Sequence, residues 1–485
     1  MPQLAPLLLA LLAFGDKPPQ APAAPIDLVT ALESALADSI ARAEPSVVAI
    51  AREKKEPRGE ETGAVRGRNP SPLRSPDFGG GFGPARGGFE DFEPAADYIA
   101  LDYGSGVVIG DKGEILTTFG VVKGASYLLV RAMGNVEFEA EVIAADPRSD
   151  LAVIVPREDP RRRRGPTLRP IAIGDASTLR KGNFLLALGN PFNAGRDGQP
   201  SASWGILSNL ARRLDSAHLR LEPNKRQLRH YPTLLQLDAK LNLGMSGGAV
   251  VNLKGELVGL TTNAANAGGF DAAAGYALPM DAMARRAIDA LKLGKEVEYG
   301  FLGIRLDEFG TNRIASADPG TPAGEGGLVA GDEILSIGGY AVTDADSLVL
   351  AVNRFSPGTP IPVKIRREAQ TIDRTVTLSK LGIQGEVIAT NRPDGWRGLR
   401  VDFVGTNPGA ARGNDVLGAL AKGGVIVSEV QAGSAADDAG LKVAQVIVAV
   451  GGERVRNPAE FAKAVATRKG PVVLTTEGNR DVTVK

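Results

Sequence analysis

Nine short, strand-length segments follow one another between Tyr103 and Pro279, and they limit the folds that this chain can adopt. The series runs from "GSGVVIG" and "GEILTTFGVV" to "GAVVNL" and "LVGLTTNA", with turn residues between its members. Many short strands with turn signals between them are typical of a β-barrel or a β-sandwich. We therefore expect a mainly β fold here, preceded by a helix over Ile26 to Ala43 and closed by a helix over Asp281 to Leu293.

The C-terminal third of the chain contains an internal duplication. Each copy has an opening strand, a short helix ending in "GL", a strand reading "ILSIGG" or "IVAVGG", a longer helix and a final strand. Repetition of a whole unit of this kind indicates two modules with the same fold. The pattern predicts two α+β modules, at residues 297–383 and 395–485.

Composition excludes several classes of function. The chain has 485 residues, with 56 Lys plus Arg and 56 Asp plus Glu, so no net charge attracts it to nucleic acid. It has no cysteine, which excludes disulfides and thiolate metal sites. We expect no metal, no cofactor and no nucleic-acid partner.

The N-terminus has the pattern of an export signal. An apolar run from Leu4 to Phe14 is too short to span a bilayer, and small residues follow it. No Lys or Arg precedes the run, so a wrongly assigned start followed by a Pro/Ala tail is the alternative. We expect residues 1–25 to be a signal peptide and the protein to be exported to the periplasm or cell envelope.

Three segments lack any regular hydrophobic period. Residues 53–97 are rich in Gly, Pro, Arg and Phe, and the composition predicts a long mobile loop. Basic runs at Arg161 to Arg164 and at Asn209 to Pro232 are interpreted as solvent-facing loops.

An ordered set of motifs then resembles one family. The motifs are "GSGVVI", "ILTTFGVV", "DPRSDLAV", "LALGNPF", "GILS", "LQLDAKLNLGMSGGAVVN" and "GYALP". From Pro45 to Lys485 the chain resembles an HtrA-type serine protease. The resemblance implies a trypsin-like double β-barrel domain at residues 26–293, followed by two PDZ domains.

A Ser-His-Asp enzyme needs an imidazole to take the proton of the nucleophile. By resemblance, Ser246 in "GMSGG" is the nucleophile, Asp150 is the carboxylate, and the N–H groups of Gly244 and Ser246 form the oxyanion hole. The position of the catalytic histidine is occupied by Gly120. The sequence therefore predicts a protease fold with an incomplete catalytic triad.

Other residues offer no obvious substitute for the missing base. His218 and His230 both follow Asp150, so neither matches the family's chain order. Lys123 lies close to the position but would need strong burial to lose its proton. Without a base, "MSGG" is explained by a turn that needs glycine, and Asp150 by hydrogen bonds to its own turn.

Residues around the nucleophile also differ from the family pattern. Leu243, Met245 and Ala249 stand where other residue types are usual, and Leu237 replaces a common threonine. We expect these substitutions to place apolar atoms near the substrate groove.

The first PDZ-like module keeps a carboxylate-binding motif. By resemblance, "FLGI" is a loop whose backbone binds a peptide's C-terminus; Phe301 opens it, and Leu302, Gly303 and Ile304 supply N–H groups. The counterpart in the second module, "RGLRV", is weaker, and "GLKVAQVIVAV" lacks the Gly-Asp turn of the first.

A helix over about Asp344 to Arg354 is expected to line the peptide groove of the first module. We expect Leu348, Leu350 and Val352 to favour an apolar last residue in the ligand.

Two functions remain open. The first is a catalytically impaired HtrA-like protein that binds unfolded proteins or protein C-termini in exported protein quality control, as a homo-trimer or in mixed oligomers with an active relative. The second is an active serine endopeptidase with an unconventional base or one that the substrate supplies.

Overall fold

The computed structural model describes residues 25–54, 103–158, 165–191, 197–212, 233–262, 275–307, 311–317, 320–383, 386–406, 423–478 and 480–485. It confirms a mainly β protein built from two β-barrels and two smaller α+β modules. The expected signal peptide, almost all of the 53–97 loop, the Arg161–Arg164 run, His218 and His230 lie outside the described residues.

The first barrel is formed by six antiparallel strands. They are β1 (Val47–Lys54), β2 (Tyr103–Val108), β3 (Ile115–Thr118), β4 (Ala125–Ala132), β5 (Val136–Asp146) and β6 (Leu151–Pro156). They follow the order β5-β4-β1-β2-β3-β6, and additional pairing of β5 with β6 closes the sheet. Ile50, Ile115 and Ile154 fill its interior. A one-turn helix, α2 (Phe119–Val122), directly follows β3.

The second barrel is closed by six further strands. They are β7 (Phe184–Gly189), β8 (Ser201–Arg212), β9 (Leu234–Leu237), β10 (Ala249–Val251), β11 (Leu257–Thr261) and β12 (Gly275–Pro279). Their order is β10-β11-β12-β9-β8-β7. Asn209 to Arg212, predicted as the start of a loop, is strand instead, because β8 continues to Arg212 through pairing with β9.

Two helices pack on the barrels, close to the predicted positions. Helix α1 (Pro25–Ala43) lies against the core through Leu36 and Ile40. Helix α3 (Ala282–Lys292) starts at Asp281, whose carboxylate accepts hydrogen bonds from two backbone N–H groups of the first turn. Within the described ranges, every helix is too short or too polar to cross a membrane.

The two C-terminal modules repeat one arrangement of elements. The first contains β13 (Gly300–Phe301), β14 (Ile304–Leu306), β15 (Ile314–Ala317), α4 (Pro322–Glu325), β16 (Glu333–Ile337), β17 (Tyr340–Ala341), α5 (Ala345–Asn353), β18 (Pro360–Arg367), β19 (Gln370–Thr377) and β20 (Ser379–Lys380). A linker strand, β21 (Ile388–Ala389), follows. The second contains β22 (Leu399–Phe403), β23 (Val425–Val430), α6 (Ala435–Asp438), β24 (Val446–Val450), β25 (Glu453–Arg454), α7 (Pro458–Ala466), β26 (Val472–Thr476) and β27 (Arg480–Val484).

The first module is fastened to the barrels through Tyr299. Its hydroxyl lies 2.5 Å from a carboxylate oxygen of the fully buried Asp146, to which it donates a hydrogen bond. Arg286 of α3 donates to the backbone oxygen of Asn353 at the end of α5 (2.9 Å). Helix α5 of this module is therefore held against the barrel domain.

The linker between the modules adds a strand to the first barrel. Ile388 and Ala389 pair antiparallel with Ala145 and Ala144 of β5. Asn391 then donates from its backbone N–H to the oxygen of Gly294 (2.9 Å). The sequence did not predict this strand, because its two residues form no period of their own.

Candidate active site and peptide-binding loops

Ser246 lies in a tight turn just before β10, fixed from both sides. The N–H of Ser105 donates to the backbone oxygen of Ser246, and the Ser105 hydroxyl donates to the oxygen of Gly244, both at 2.8 Å. Gly247 follows with φ +83°, and a Cβ on it would lie 2.2 Å from the oxygen of Ser105. Glycine is therefore required next to Ser246 on backbone grounds alone.

The Ser246 hydroxyl has a hydroxyl as its neighbour. Its Oγ lies 3.2 Å from Oγ1 of Thr118, and both residues are buried. A threonine hydroxyl is a poor proton acceptor near neutral pH, so this pair does not activate the serine. Thr118 cannot be singled out from the sequence, since only the fold brings the end of β3 to this turn.

Gly120 is the second residue of helix α2. Its backbone N–H donates to Oδ1 of Asp150 at 3.2 Å, and its oxygen accepts from the guanidinium of Arg52 at 2.8 Å. The backbone N–H and oxygen of Gly120 are thus both hydrogen-bonded, but glycine provides no side chain at this position. A proton acceptor is absent from the position that the resemblance assigns to the base.

Asp150 is buried and held by its surroundings. Besides the Gly120 N–H, it accepts from the Thr262 hydroxyl at Oδ2 (3.2 Å), and its backbone adopts the left-handed φ of +56°. A non-glycine residue in this region is strained and must be fixed by its neighbours. The carboxylate therefore joins α2 to the residue after β11, whereas N–H groups of its own turn, at Arg148 and Ser149, donate to Asp146. These bonds do not bear out the expectation that Asp150 serves its own turn.

The N–H groups of the turn remain available. Those of Gly244 and Ser246 donate no hydrogen bond to any residue that the structure describes, although both residues are buried. Gly244 has φ +89°, which glycine adopts freely. They are the two N–H groups that the resemblance assigns to an oxyanion hole.

The expectation that apolar substitutions line the substrate groove is wrong for three residues. Met245 and Leu237 pack inside the second barrel, and Ala249 is fully buried in β10. Leu237 points inwards from its barrel strand, Met245 reaches the same cluster from the turn before Ser246, and Ala249 faces the other core cluster, which includes residues of α3. Leu243 alone of the four is partly exposed.

Lys123 does not take the place of the base. It follows α2 directly, is exposed, and its backbone oxygen accepts from Arg52. Because it is exposed, Lys123 lacks the burial that a Ser-Lys dyad requires.

The loop of the first module, Phe301–Ile304, forms a second site with available N–H groups. The N–H groups of Leu302 and Gly303 donate to none of the described residues, while the oxygen of Leu302 accepts from Ala323 N–H at 2.9 Å. Gly303 has φ +79°, and a Cβ there would lie 2.6 Å from Cβ of Thr321. Consecutive N–H groups in such a loop form a nest for a carboxylate.

A strand edge continues from this loop. Ile304–Leu306 pairs with β15 on one side, and no pairing on its other side is described within the resolved ranges. Leu348 and Val352 of α5 are buried in the same module core on which Ile304 packs. Leu350 points the other way and packs against the barrel side, because positions two apart lie on different faces of a helix.

The equivalent loop of the second module, Trp396–Leu399, is tied to neighbouring segments. The N–H of Leu399 donates to the oxygen of Trp396 at 2.9 Å. The guanidinium of Arg397 donates to the oxygens of Val484 (2.7 Å) and Gly470 (2.6 Å) and stacks on the Trp396 ring. The ring also meets Phe461 of α7 edge-on at 6.2 Å.

Two carboxylates of the first module, Asp332 before β16 and Asp344 at the start of α5, have a lowered pKa. Burial alone would raise the pKa of Asp332, but two hydrogen bonds from Arg367 (2.7 and 2.9 Å) and one from the Val329 N–H outweigh it and lower the pKa. At α5, the N–H of Ser347 donates to Asp344 and holds its pKa below the usual value. Both carboxylates are charged at neutral pH.

Comparison with known proteins identifies each part of the chain. Residues 104–260 match the model of a trypsin-like peptidase domain. Residues 300–378 and 426–477 each match a model of a PDZ domain.

Similar proteins cover most of the chain. A probable periplasmic serine endoprotease DegP-like of Ectopseudomonas mendocina is 31% identical over 383 residues, covering 75% of this chain and 74% of the relative. The periplasmic serine endoprotease DegP of Escherichia coli is 28% identical over 422 residues, covering 84% and 80%. A solved structure described as HtrA-type protease AlgW with decapeptide is 26% identical, with a TM-score of 0.48, and covers 74% of this chain and 99% of its own.

Proposed function

The chain belongs to the HtrA-type, DegP-like family of trypsin-like serine proteases with PDZ domains, and we propose that it is a catalytically impaired member that binds peptides instead of cleaving them. Its clients are unfolded proteins and protein C-termini, in exported protein quality control. We assign residues 26–293 to the protease domain, 297–383 to the first PDZ domain and 395–485 to the second.

One observation carries the catalytic part of this proposal: Gly120 stands at the base position, and the described neighbour of the Ser246 hydroxyl is Thr118. Removing the general base of a Ser-His-Asp triad costs on the order of 10⁶ in turnover, near 8 kcal/mol. The oxyanion hole and binding alone retain roughly 10³–10⁴ over water. That remainder is too small for a working peptidase.

Peptide binding needs only what the first PDZ domain retains. Charge-assisted hydrogen bonds from the N–H groups of Leu302 and Gly303 would hold a terminal carboxylate. The open edge of Ile304–Leu306 would pair with the preceding residues of the peptide. Because these contacts use the backbone, no catalytic side chain is involved.

Location and assembly follow from the relatives by analogy. Curated relatives of the chain are named periplasmic serine endoproteases, and we propose a periplasmic location after export. We also propose a homo-trimer or a mixed oligomer with an active relative, in which several PDZ domains would bind one client and raise the avidity.

An active endopeptidase with a base from the substrate is the second candidate. It is favoured by the available N–H groups of Gly244 and Ser246, since an oxyanion hole could still stabilise a tetrahedral intermediate. Peptides with a histidine near the cleaved bond would then be cut, whereas peptides without one would not.

A casein digestion followed by mass spectrometry tests the proposal. The full-length protein is expected to produce no fragments above those of Ser246→Ala prepared in parallel. Gly120→His should restore at most weak cleavage, since misplacement of about 1 Å already costs roughly 100-fold. Cleavage by the unmodified protein that persists through purification and disappears in Ser246→Ala would contradict impairment.

A further inference from the structure

The second PDZ domain lies against the carboxylate-binding loop of the first. Val404, Ile426 and Val446 of the second domain form a small buried cluster. Phe301, the residue that opens the loop of the first domain, packs on this cluster. One domain therefore supplies part of the support for the ligand loop of the other.

A buried lysine joins the two domains beside the same loop. Lys380 is 4% exposed, and its Nζ lies 2.8 Å from Oδ2 of Asp402 in the second domain. It also lies 3.1 Å from Glu296 and 3.4 Å from Glu298. A buried cation paired with three carboxylates loses much of its support when one partner is removed.

The position of Lys380 connects this ion cluster to the loop. Lys380 lies in β20, directly opposite Gly300 in the pairing with β13, and Gly300 immediately precedes Phe301. Burial alone would lower the pKa of Lys380, but Asp402 and Glu296 outweigh it and raise the pKa, so the ammonium is charged. The contact of Lys380 with the second domain therefore helps to set the position of β13, the strand that leads into the loop.

We propose that the second PDZ domain braces the peptide-binding loop of the first, with Lys380 and Asp402 as the positioning residues. The inference rests on the proposed function, in which Phe301–Ile304 takes the peptide carboxylate. Among the residues that the structure describes, none accepts a hydrogen bond from the N–H groups of Leu302 and Gly303. A brace reduces the cost of ordering them on binding, and such preorganisation raises affinity.

Asp402→Asn is the most informative variant, because the substitution lies in the second domain and its effect is measured in the first. The Asp402 side chain borders a cavity of about 190 Å³ beside Lys380, so water can solvate the amide and the variant should fold. Glu429→Gln is the matched control, because it removes an exposed pair with Arg400 in the same domain. Lys380→Met and the exposed Lys364→Met form a second matched pair in the first domain.

Binding is measured on the full-length chain with a labelled decapeptide ending in valine, as the free acid and as the C-terminal amide. We expect Asp402→Asn and Lys380→Met to weaken binding of the acid by about fivefold, a typical coupling between sites. Binding of the amide should change little, because it lacks the carboxylate that the loop holds. General unfolding would instead weaken both forms, and the two controls should behave as the unmodified protein.

Hydrogen exchange of residues 299–304 without peptide separates this inference from the proposed function. Faster exchange in Asp402→Asn and Lys380→Met, together with the lower acid-to-amide ratio, supports the brace. Unchanged exchange overturns it, and so does faster exchange without any loss of acid binding. If the unmodified protein binds acid and amide equally, the proposed function fails, and the bracing of a ligand loop fails with it.

Discussion

The two PDZ domains share one fold, but different contacts hold the loop at the start of each domain. In the first, the N–H groups of Leu302 and Gly303 donate to none of the described residues, and the strand edge beyond them is open. In the second, the equivalent N–H groups, those of Arg397 and Gly398, also donate to none of the described residues, but the Arg397 guanidinium donates to Val484 and Gly470 and ties the loop to the end of the chain. The two loops therefore differ in what holds them in place, and a shared fold does not by itself give both domains the same ligand.

The turn before the central strand shows the same contrast in a milder form. Asp332 accepts from the Val329 N–H in the first domain, and Gln445 accepts from the Lys442 N–H in the second, at 2.9 and 3.0 Å. The second domain therefore keeps this turn although it lacks the Gly-Asp pair. What it lacks is the buried ion pair between Asp332 and Arg367.

The largest expected effect comes from Asp332→Asn. The carboxylate is fully buried and takes two hydrogen bonds from Arg367, so its removal should destabilise the first domain by about 3 kcal/mol. Gln445→Ala, which removes only the turn bond in the second domain, should cost about 1 kcal/mol. Denaturant titration followed by hydrogen exchange of each domain measures both, and equal losses would contradict the contrast.

The pH dependence of stability tests the role of Asp332 independently. Because the pKa of Asp332 is lowered from 3.8 in the folded protein, its stabilisation is complete above that value and is lost as the pH falls through the folded pKa. Between pH 7 and 4 this group should contribute no change. In Asp332→Asn the loss of stability below pH 4 should be smaller than in the unmodified protein.

The next effect concerns the loop itself. Gly303→Ala places a Cβ in the left-handed region and against Thr321, so it should weaken binding of a free-acid peptide by about tenfold. Gly339→Ala is the control, because Gly339 has a similar φ of +85° in the same domain with nothing within 4 Å of the added Cβ. Calorimetry on both variants decides, and equal affinities would show that the carboxylate binds elsewhere.

The smallest effect comes from a matched exchange of glycine and alanine. Gly331 (φ +91°) and Ala444 (φ +72°) occupy the same place in the two turns, and their N–H groups donate to Ile314 and Val427 at 2.8 Å. Ala444→Gly should stabilise the second domain by about 1 kcal/mol, and Gly331→Ala should destabilise the first by a similar amount. Thermal unfolding measures both, and shifts of the same sign would refute the assignment.

The sequence predicted local elements well, because each carries its own signal. The α3 helix and the duplicated modules follow from local pattern and repetition, whereas the capping role of Asp281 is seen only in the structure. Ser246 and the Phe301–Ile304 loop were located by motif. Their roles stay proposals that the experiments above test.

Contacts between distant segments could not be predicted from the sequence. Thr118 reaches Ser246 only because β3 ends beside its turn, and Lys380 meets Asp402 only because two domains pack. Met245 was placed near the groove, but the fold buries it in the second barrel. Such contacts depend on tertiary packing, which leaves no period in the chain.

One titration tests most directly whether the chain binds peptides that it does not cut. The full-length protein is titrated by calorimetry with a decapeptide ending in valine, as free acid and as amide. Mass spectrometry of the recovered peptide then shows whether it has been cleaved. The account predicts micromolar binding of the acid, at least tenfold weaker binding of the amide, and recovery of both peptides intact. Equal affinity for the two forms, or fragments that disappear in Ser246→Ala, would contradict it.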